Sequence, residues 1–259
     1  MKKALALIAA ASLVAMASTA MAANTGWNVA AKAGSSIEFT KHNLSVTGVG
    51  TVKSATGTQI CVYCHTPHNA NTAGGPIWNR NQSNITFGTA YQLYSGVGMQ
   101  AVSYKGGFTS DSYSLFCMSC HDGSSMGGTM IYNTGAALPA EEKAALAAFT
   151  DGILKSSKAN LTQGQIGGVG AQNADGSLLK TTHPVNFKYV SAAGGDLAAA
   201  SEGKIIGEKG VDFPLFRSQR DATNTFECSS CHAVHDNSYS PFLRATNEGS
   251  TLCLGCHKK

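Results

Sequence analysis

Apolar and polar positions along this chain rarely keep a period for long. After an apolar run from Ala4 to about Ala17, few segments sustain the 3.6-residue repeat of an amphipathic helix or the two-residue repeat of a half-buried strand. Ile37 to Val46 alternates enough to predict a short extended strand or ribbon. One helix is predicted to start near Pro139, with Glu141 and Glu142 in its first turn, to continue through Ala144 to Phe149 and to stop near Gly152. Asp196 through Ala200 reads as the start of a second helical turn, and Gln163 to Gly176 as loop. Pro184 holds the chain extended beside His183. The pattern predicts mostly irregular coil with a few short helices and almost no sheet.

Composition deepens that picture. Gly contributes 29 of 259 residues and charged residues only 13%, so the polypeptide is poorly supplied for a regular core. Something other than chain burial has to furnish the interior. The apolar run near the start does not: Lys2 and Lys3, the run itself and the Ala20-Met21-Ala22 site make residues 1–22 a cleaved secretory signal, with Ala23 as the first mature residue. No later stretch approaches the ~20 apolar residues of a membrane span, so no transmembrane anchor is expected, and the protein is expected outside the cytoplasm, extracellular or at the cell surface, or alternatively periplasmic.

The eight Cys change the reading most. An exported chain ordinarily pairs them as disulfides, and zinc ribbons or chance are the other competitors. Here every Cys lies in a Cys-x-x-Cys-His unit: Cys61 and Cys64 before His65, Cys117 and Cys120 before His121, Cys228 and Cys231 before His232, Cys253 and Cys256 before His257. That unit is the attachment signature of haem c, in which two thiols add to the vinyl groups and the adjacent imidazole binds iron. Zinc ribbons do not require His after each second Cys, and four units that use every Cys are beyond accident. Four covalent haem c groups are expected, and over about 237 mature residues the porphyrins themselves would form much of the apolar interior.

An internal repeat organises the units. Cys61-Val-Tyr-Cys-His-Thr-Pro-His68 matches Cys228-Ser-Ser-Cys-His-Ala-Val-His235, and Leu115-Phe116-Cys-Met-Ser-Cys-His121 matches Thr251-Leu252-Cys-Leu-Gly-Cys-His257. The chain divides into an N-terminal segment (23–60), a first di-haem module (61–121), a Gly/Ala-rich insert (122–227) and a compact second di-haem module (228–259). Trp78 and the tyrosines Tyr91, Tyr94 and Tyr104 are expected to pack against porphyrin.

The eight His divide evenly. Four follow the thiols as proximal ligands, and His42, His68, His183 and His235 remain, one for each iron's distal side. Met99, Met118, Met126 and Met130 are the competing ligands, and Met118 sits between two thiols of one unit. Bis-His ligation predicts low-potential, low-spin haems. If Cys61 to His68 is helical, His65 and His68 project from the same side, so His68 must serve a different haem, and His235 likewise. Saturated irons leave no substrate position, and the sequence holds no Ser-His-Asp set or phosphate loop, so an electron carrier is expected rather than an enzyme. The formal charge of +4 falls to about −2 once the signal is removed and propionates and ferric irons are counted, so nucleic acid is not an expected partner.

The runs His42-Asn-Leu-Ser, Cys61 to His68, Cys228 to His235 and Leu252 to His257 resemble the doubled CXXCH-motif multihaem cytochromes. With four haem sites on an exported chain of this size, the sequence is most similar to the tetrahaem extracellular cytochrome filaments of metal-reducing bacteria. The resemblance covers both modules and little of 122–182. It implies a homopolymer with a continuous haem stack, in which His68 ligates a haem of the neighbouring subunit. It further implies upstream redox proteins as donors and extracellular acceptors. A monomeric shuttle, with all eight axial ligands from one chain, is the alternative.

Overall fold

In the computed structural model, the residues described are 35–50, 52–71, 77–80, 93–94, 107–121, 140–141, 144, 179, 182–191 and 194–258. All of them belong to one unit, Ala31–Lys259. The signal segment, Tyr91, Tyr104, Gln163 to Gly176 and most of the helix expected from Pro139 lie outside these residues. Ala140, Glu141 and Ala144 are helical.

The expectation of almost no sheet is overturned. Two three-stranded antiparallel sheets form between the two pairs of Cys-x-x-Cys-His units. The first joins β1 (Phe187–Lys188), β6 (Asp221–Phe226) and β5 (Phe216–Ser218), with β6 central and Phe187 opposite Phe226. The second joins β2 (Ala200–Ser201), β3 (Lys204–Ile205) and β4 (Phe213–Pro214), with Ile205 opposite both Ala200 and Phe213. These strands are too short to carry a two-residue period. The turn between β2 and β3 has Glu202 and Gly203 both at positive φ (52° and 73°), the twist that a two-residue hairpin loop demands.

Two local expectations also give way. Asp196 to Ala200 is not a helical turn: Leu197 bridges His257 and the Ala198 N–H donates to the Cys256 carbonyl at 2.8 Å, so the segment pairs with the last haem unit. Ile37 to Val46 is not extended. Ile37–Phe39 forms a 3-10 turn, closed by Thr40 donating from Oγ1 to the Ile37 carbonyl, and turns follow. Polar side chains here take up backbone groups that a strand would have used.

Each haem unit is helical: α1 (Ser114–His121), α2 (Cys228–Cys231) and α3 (Thr251–Leu254), with Cys61–Tyr63 as a 3-10 turn. Tyr189, Ala198, Ile205, Phe213, Leu215, Phe226 and Ala245 make a buried cluster against which Cys231, Leu252 and Cys256 pack. The sheets therefore back onto the C-terminal units. Gly255 shows how closely: a Cβ there would stand 2.5 Å from the Phe213 ring, so only glycine fits between the last two thiols.

Candidate haem centre

Each Cys-x-x-Cys-His unit closes one helical turn on itself. The N–H of His65 donates to the Cys61 carbonyl at 2.8 Å, that of His232 to Cys228 at 3.0 Å and that of His257 to Cys253 at 2.9 Å; the Cys117 unit lies within α1. The turn sets two thiols along one side and then releases the chain. After it, His65 and His232 leave in extended conformation, bridging Trp78 and Leu243 respectively. The helical continuation supposed for Cys61 to His68 is therefore absent, because the backbone after each His is recruited by a later segment.

All eight thiols are free. Burial pushes the Cys64 thiol up to about 12, with Cys120 adding to the rise and Arg80 opposing it. Burial likewise raises Cys231 to about 12 and Cys256 to about 11. Interaction between Cys117 and Cys228 raises the first thiol and lowers the second. A buried neutral thiol suits thioether formation, in which sulfur and hydrogen add across a vinyl double bond and no charge remains. The same neighbours order the sites: Cys64 feels Cys120, Cys117 touches Cys228 and Cys231 feels Cys256. These interactions link the Cys-x-x-Cys-His units in chain order.

The imidazoles come together in pairs drawn from distant parts of the chain. His42 and His121 have ring centres 5.9 Å apart, and His65 and His235 have theirs 6.0 Å apart. His183 lies in electrostatic reach of His257. An iron held between two imidazoles, with metal–nitrogen bonds of about 2 Å and ring centres about 1 Å beyond each nitrogen, requires about 6 Å between centres. The two measured pairs fit that group. Among the described residues no three His, Cys, Asp or Glu side chains converge as a metal-ion cage would need. His232 lies near His121, and His68 is exposed.

The ring protons are arranged for ligation. His183 Nδ1 lies 2.9 Å from the Pro184 carbonyl and His232 Nδ1 lies 3.1 Å from that of Pro241, so in each ring the N–H can be spent on backbone and Nε2 left as the base. Burial lowers His65, His183 and His232 and takes His42 to about 4, where nearby His121 adds to the effect. All four are neutral near pH 7, the form that binds a metal.

Local structure explains why His42 is available. Asn43, fully buried, accepts at Oδ1 from the Ser45 N–H and hydroxyl and donates from Nδ2 to the Glu38 carbonyl and Thr47 Oγ1. Ser36 bridges Asp236, and Phe242 stacks on the His42 ring at 4.3 Å. The N-terminal segment thus lies on the loop after His232 and presents its imidazole to His121.

Three residues the sequence reading did not single out, Asn79, Arg80 and Glu227, hold neighbouring sites together. Segment 77–80 stitches the first site: the Asn79 N–H donates to the Cys64 carbonyl at 2.8 Å and its Nδ2 to that of Val62 at 2.7 Å. Fully buried Arg80 donates from Nη2 to the Ser119 carbonyl of the second unit. Trp78 packs on Phe116 at 4.7 Å and edge-on to His65 at 5.5 Å. Glu227, also fully buried, plays the matching part between the second and third units. Its only signal in the sequence is the Glu-x-x-Ser spacing at the start of α2, where the Glu227 N–H donates to Ser230 Oγ.

No curated protein matches the chain. Residues 222–259 match the family model described as the doubled CXXCH motif. Among the described residues no helix is long and apolar enough to cross a membrane. With the doubled motif on the second module and the same unit repeated on the first, the CXXCH motifs of this chain indicate covalently bound haem c in an electron-transfer cytochrome of the multihaem kind.

Proposed function

We propose that the chain is a tetrahaem cytochrome that passes electrons along four bis-His haems and works as the subunit of an extracellular filament. The observation that carries the reading is the pairing of imidazoles, His42 with His121 and His65 with His235, at the spacing of a six-coordinate haem iron. The succession of thiols from Cys61 to Cys256 supports a single file of haems close enough for transfer. Bound haem supplies the one-electron chemistry, ferric to ferrous and back. Cys61, Cys64, Cys117, Cys120, Cys228, Cys231, Cys253 and Cys256 would attach it, and His side chains would hold the irons.

The pairing also narrows the contact between subunits. With His42, His235 and His183 assigned to the irons of His121, His65 and His257, the iron of His232 is the one to which His68 of a neighbouring subunit brings the sixth ligand. His68 sits exposed between Pro67 and Asn69, on a bend where Asn69 has φ 53°. A homopolymer built this way continues the file across each interface. Upstream redox proteins would load it and extracellular acceptors unload it.

His68→Ala tests the reading on secreted, haem-loaded protein. The expected result is loss of filaments in electron micrographs and a high-spin signal from one haem in four. Unchanged filaments would sink the trans-ligand. A homogeneous monomer whose haems are all six-coordinate in the unmutated protein would replace the filament by a monomeric shuttle.

A further inference from the structure

Glu227 is an acid placed where charge is costly. Its side chain is wholly buried, and beside the Ser230 N–H of its own unit it accepts hydrogen bonds from two segments that carry parts of other haem sites. Oε2 accepts from Ser112 Oγ at 2.8 Å, from the Ser114 N–H at 3.2 Å and from Ser114 Oγ. These residues begin α1, which holds Cys117 and Cys120. Oε1 accepts from Asn186 Nδ2 at 2.9 Å, just beyond His183. Glu227 itself precedes Cys228, whose N–H donates to Ser114 Oγ at 3.0 Å.

The network is anchored on its far side. Asn186 is buried with φ 53°, its N–H donates to the Phe226 carbonyl at 2.6 Å, and its Oδ1 accepts from the Thr109 N–H at 2.9 Å and from Arg220 Nε at 3.3 Å. Arg220 donates in turn from Nη2 to the Gly107 carbonyl at 2.6 Å. Each donor is committed, so the carboxylate cannot rotate without breaking a bond.

We infer that Glu227 is the positioning residue that fixes how the second and third haem sites face each other, by tying the starts of α1 and α2 and the segment after His183 to one buried carboxyl. The inference rests on the electron-transfer reading above and adds to it the residue that sets one inter-haem step. The thiols it governs, Cys117 and Cys228, interact across this junction. Small shifts here change porphyrin separation and angle directly, whereas Glu227 touches none of the attaching or ligating atoms.

The test uses holoprotein and Soret circular dichroism, whose exciton couplet reports the mutual orientation of adjacent porphyrins, beside haem content per chain. Glu227→Ala is expected to keep its full haem content, since attachment needs only Cys and His, and to lose part of the couplet. Glu227→Gln sets an amide donor against Asn186 Nδ2 and is expected to show a smaller loss. The double variant Glu227→Gln/Asn186→Asp restores an acceptor opposite that donor and is expected to recover the couplet. A wild-type couplet in both single variants would overturn the inference, as would a loss that the double variant leaves unrepaired. Should the Glu227 variants fail to accumulate, Asn186→Ala and Ser112→Ala, which remove the donor to Oε1 and one donor to Oε2 respectively, decide the same question by the same couplet. Absence of haem or of any redox couple in the unmutated protein would instead defeat the electron-transfer reading itself.

Discussion

Two junctions in this chain do the same work with opposite charge. Between the first and second haem sites lies Arg80, fully buried, its guanidinium donating to the Ser119 carbonyl and opposing the burial that raises the Cys64 thiol. Between the second and third lies Glu227, equally buried, accepting from Ser112, Ser114 and Asn186. Each ties one attachment unit to the next through groups on the backbone or on short side chains. A loop-rich chain with little apolar core can hold neighbouring porphyrins in place by such buried, hydrogen-bonded charged groups, because losing one partner strands the rest. The charges differ in what they do to an adjacent iron. A buried cation favours the ferrous state and a buried anion the ferric, so in the proposed haem file the two junctions would bias neighbouring irons in opposite directions.

The largest expected effect breaks this contrast at both ends. Glu227→Ala leaves several buried donors without an acceptor and is expected to cost about 3 kcal/mol of stability, read as the shift in denaturant midpoint of the holoprotein. In spectroelectrochemical titration above the carboxyl's own pKa, Glu227→Gln should raise the potential of the haems beside it, and Arg80→Met should lower that of the haems on the first two sites. Shifts of the same sign in the two variants would refute the opposed-charge account.

A second effect is expected in the pH profile. Burial raises the Glu227 carboxyl above its ordinary value, although the serines and Asn186 pull it down. The folded state therefore holds that proton more tightly than the unfolded chain. Its contribution is fully present below the unfolded pKa and is lost as pH rises through the folded one. Unfolding across that window should show the slope in the unmutated protein and a flatter profile in Glu227→Gln. An identical profile in the variant would remove the carboxyl as the source.

The smallest effect serves as a control. On the first sheet, Asp221 is lowered to about 2, first by the Thr223 N–H and then by Lys188, which lies 2.9 Å away. Stability from this carboxylate is present above its unfolded pKa and fades as pH falls towards about 2. The Lys188 side chain is half exposed, so Lys188→Ala is expected to cost about 0.5 kcal/mol or less by thermal unfolding, far below either junction. A loss as large as that of Glu227→Ala would mean that the sheet, not the junctions, holds the sites.

Much of the site was legible in the sequence and much of the fold was not. Haem attachment is local chemistry, and Cys-x-x-Cys-His has to close one turn wherever it occurs. The strands escaped notice because β1 to β4 span two residues each and β6, with Thr223-Asn224-Thr225, has no alternating apolar face. Glu227 and Arg80 escaped because a charged residue in a polar chain reads as solvated, and only packing shows it buried.

What the sequence determined by itself is the covalent and numerical frame: four attachment units, the repeat that relates them, and a second set of four His equal in number to the first. Those follow from bonds within a few residues. Tertiary structure alone decided that His235 of the second module faces His65 of the first, that His42 crosses to His121, and that opposite buried charges hold adjacent sites. Such pairings join residues far apart in the chain, and their geometry depends on which backbone groups the short sheets and the Asn43, Asn79 and Glu227 hydrogen bonds have already claimed.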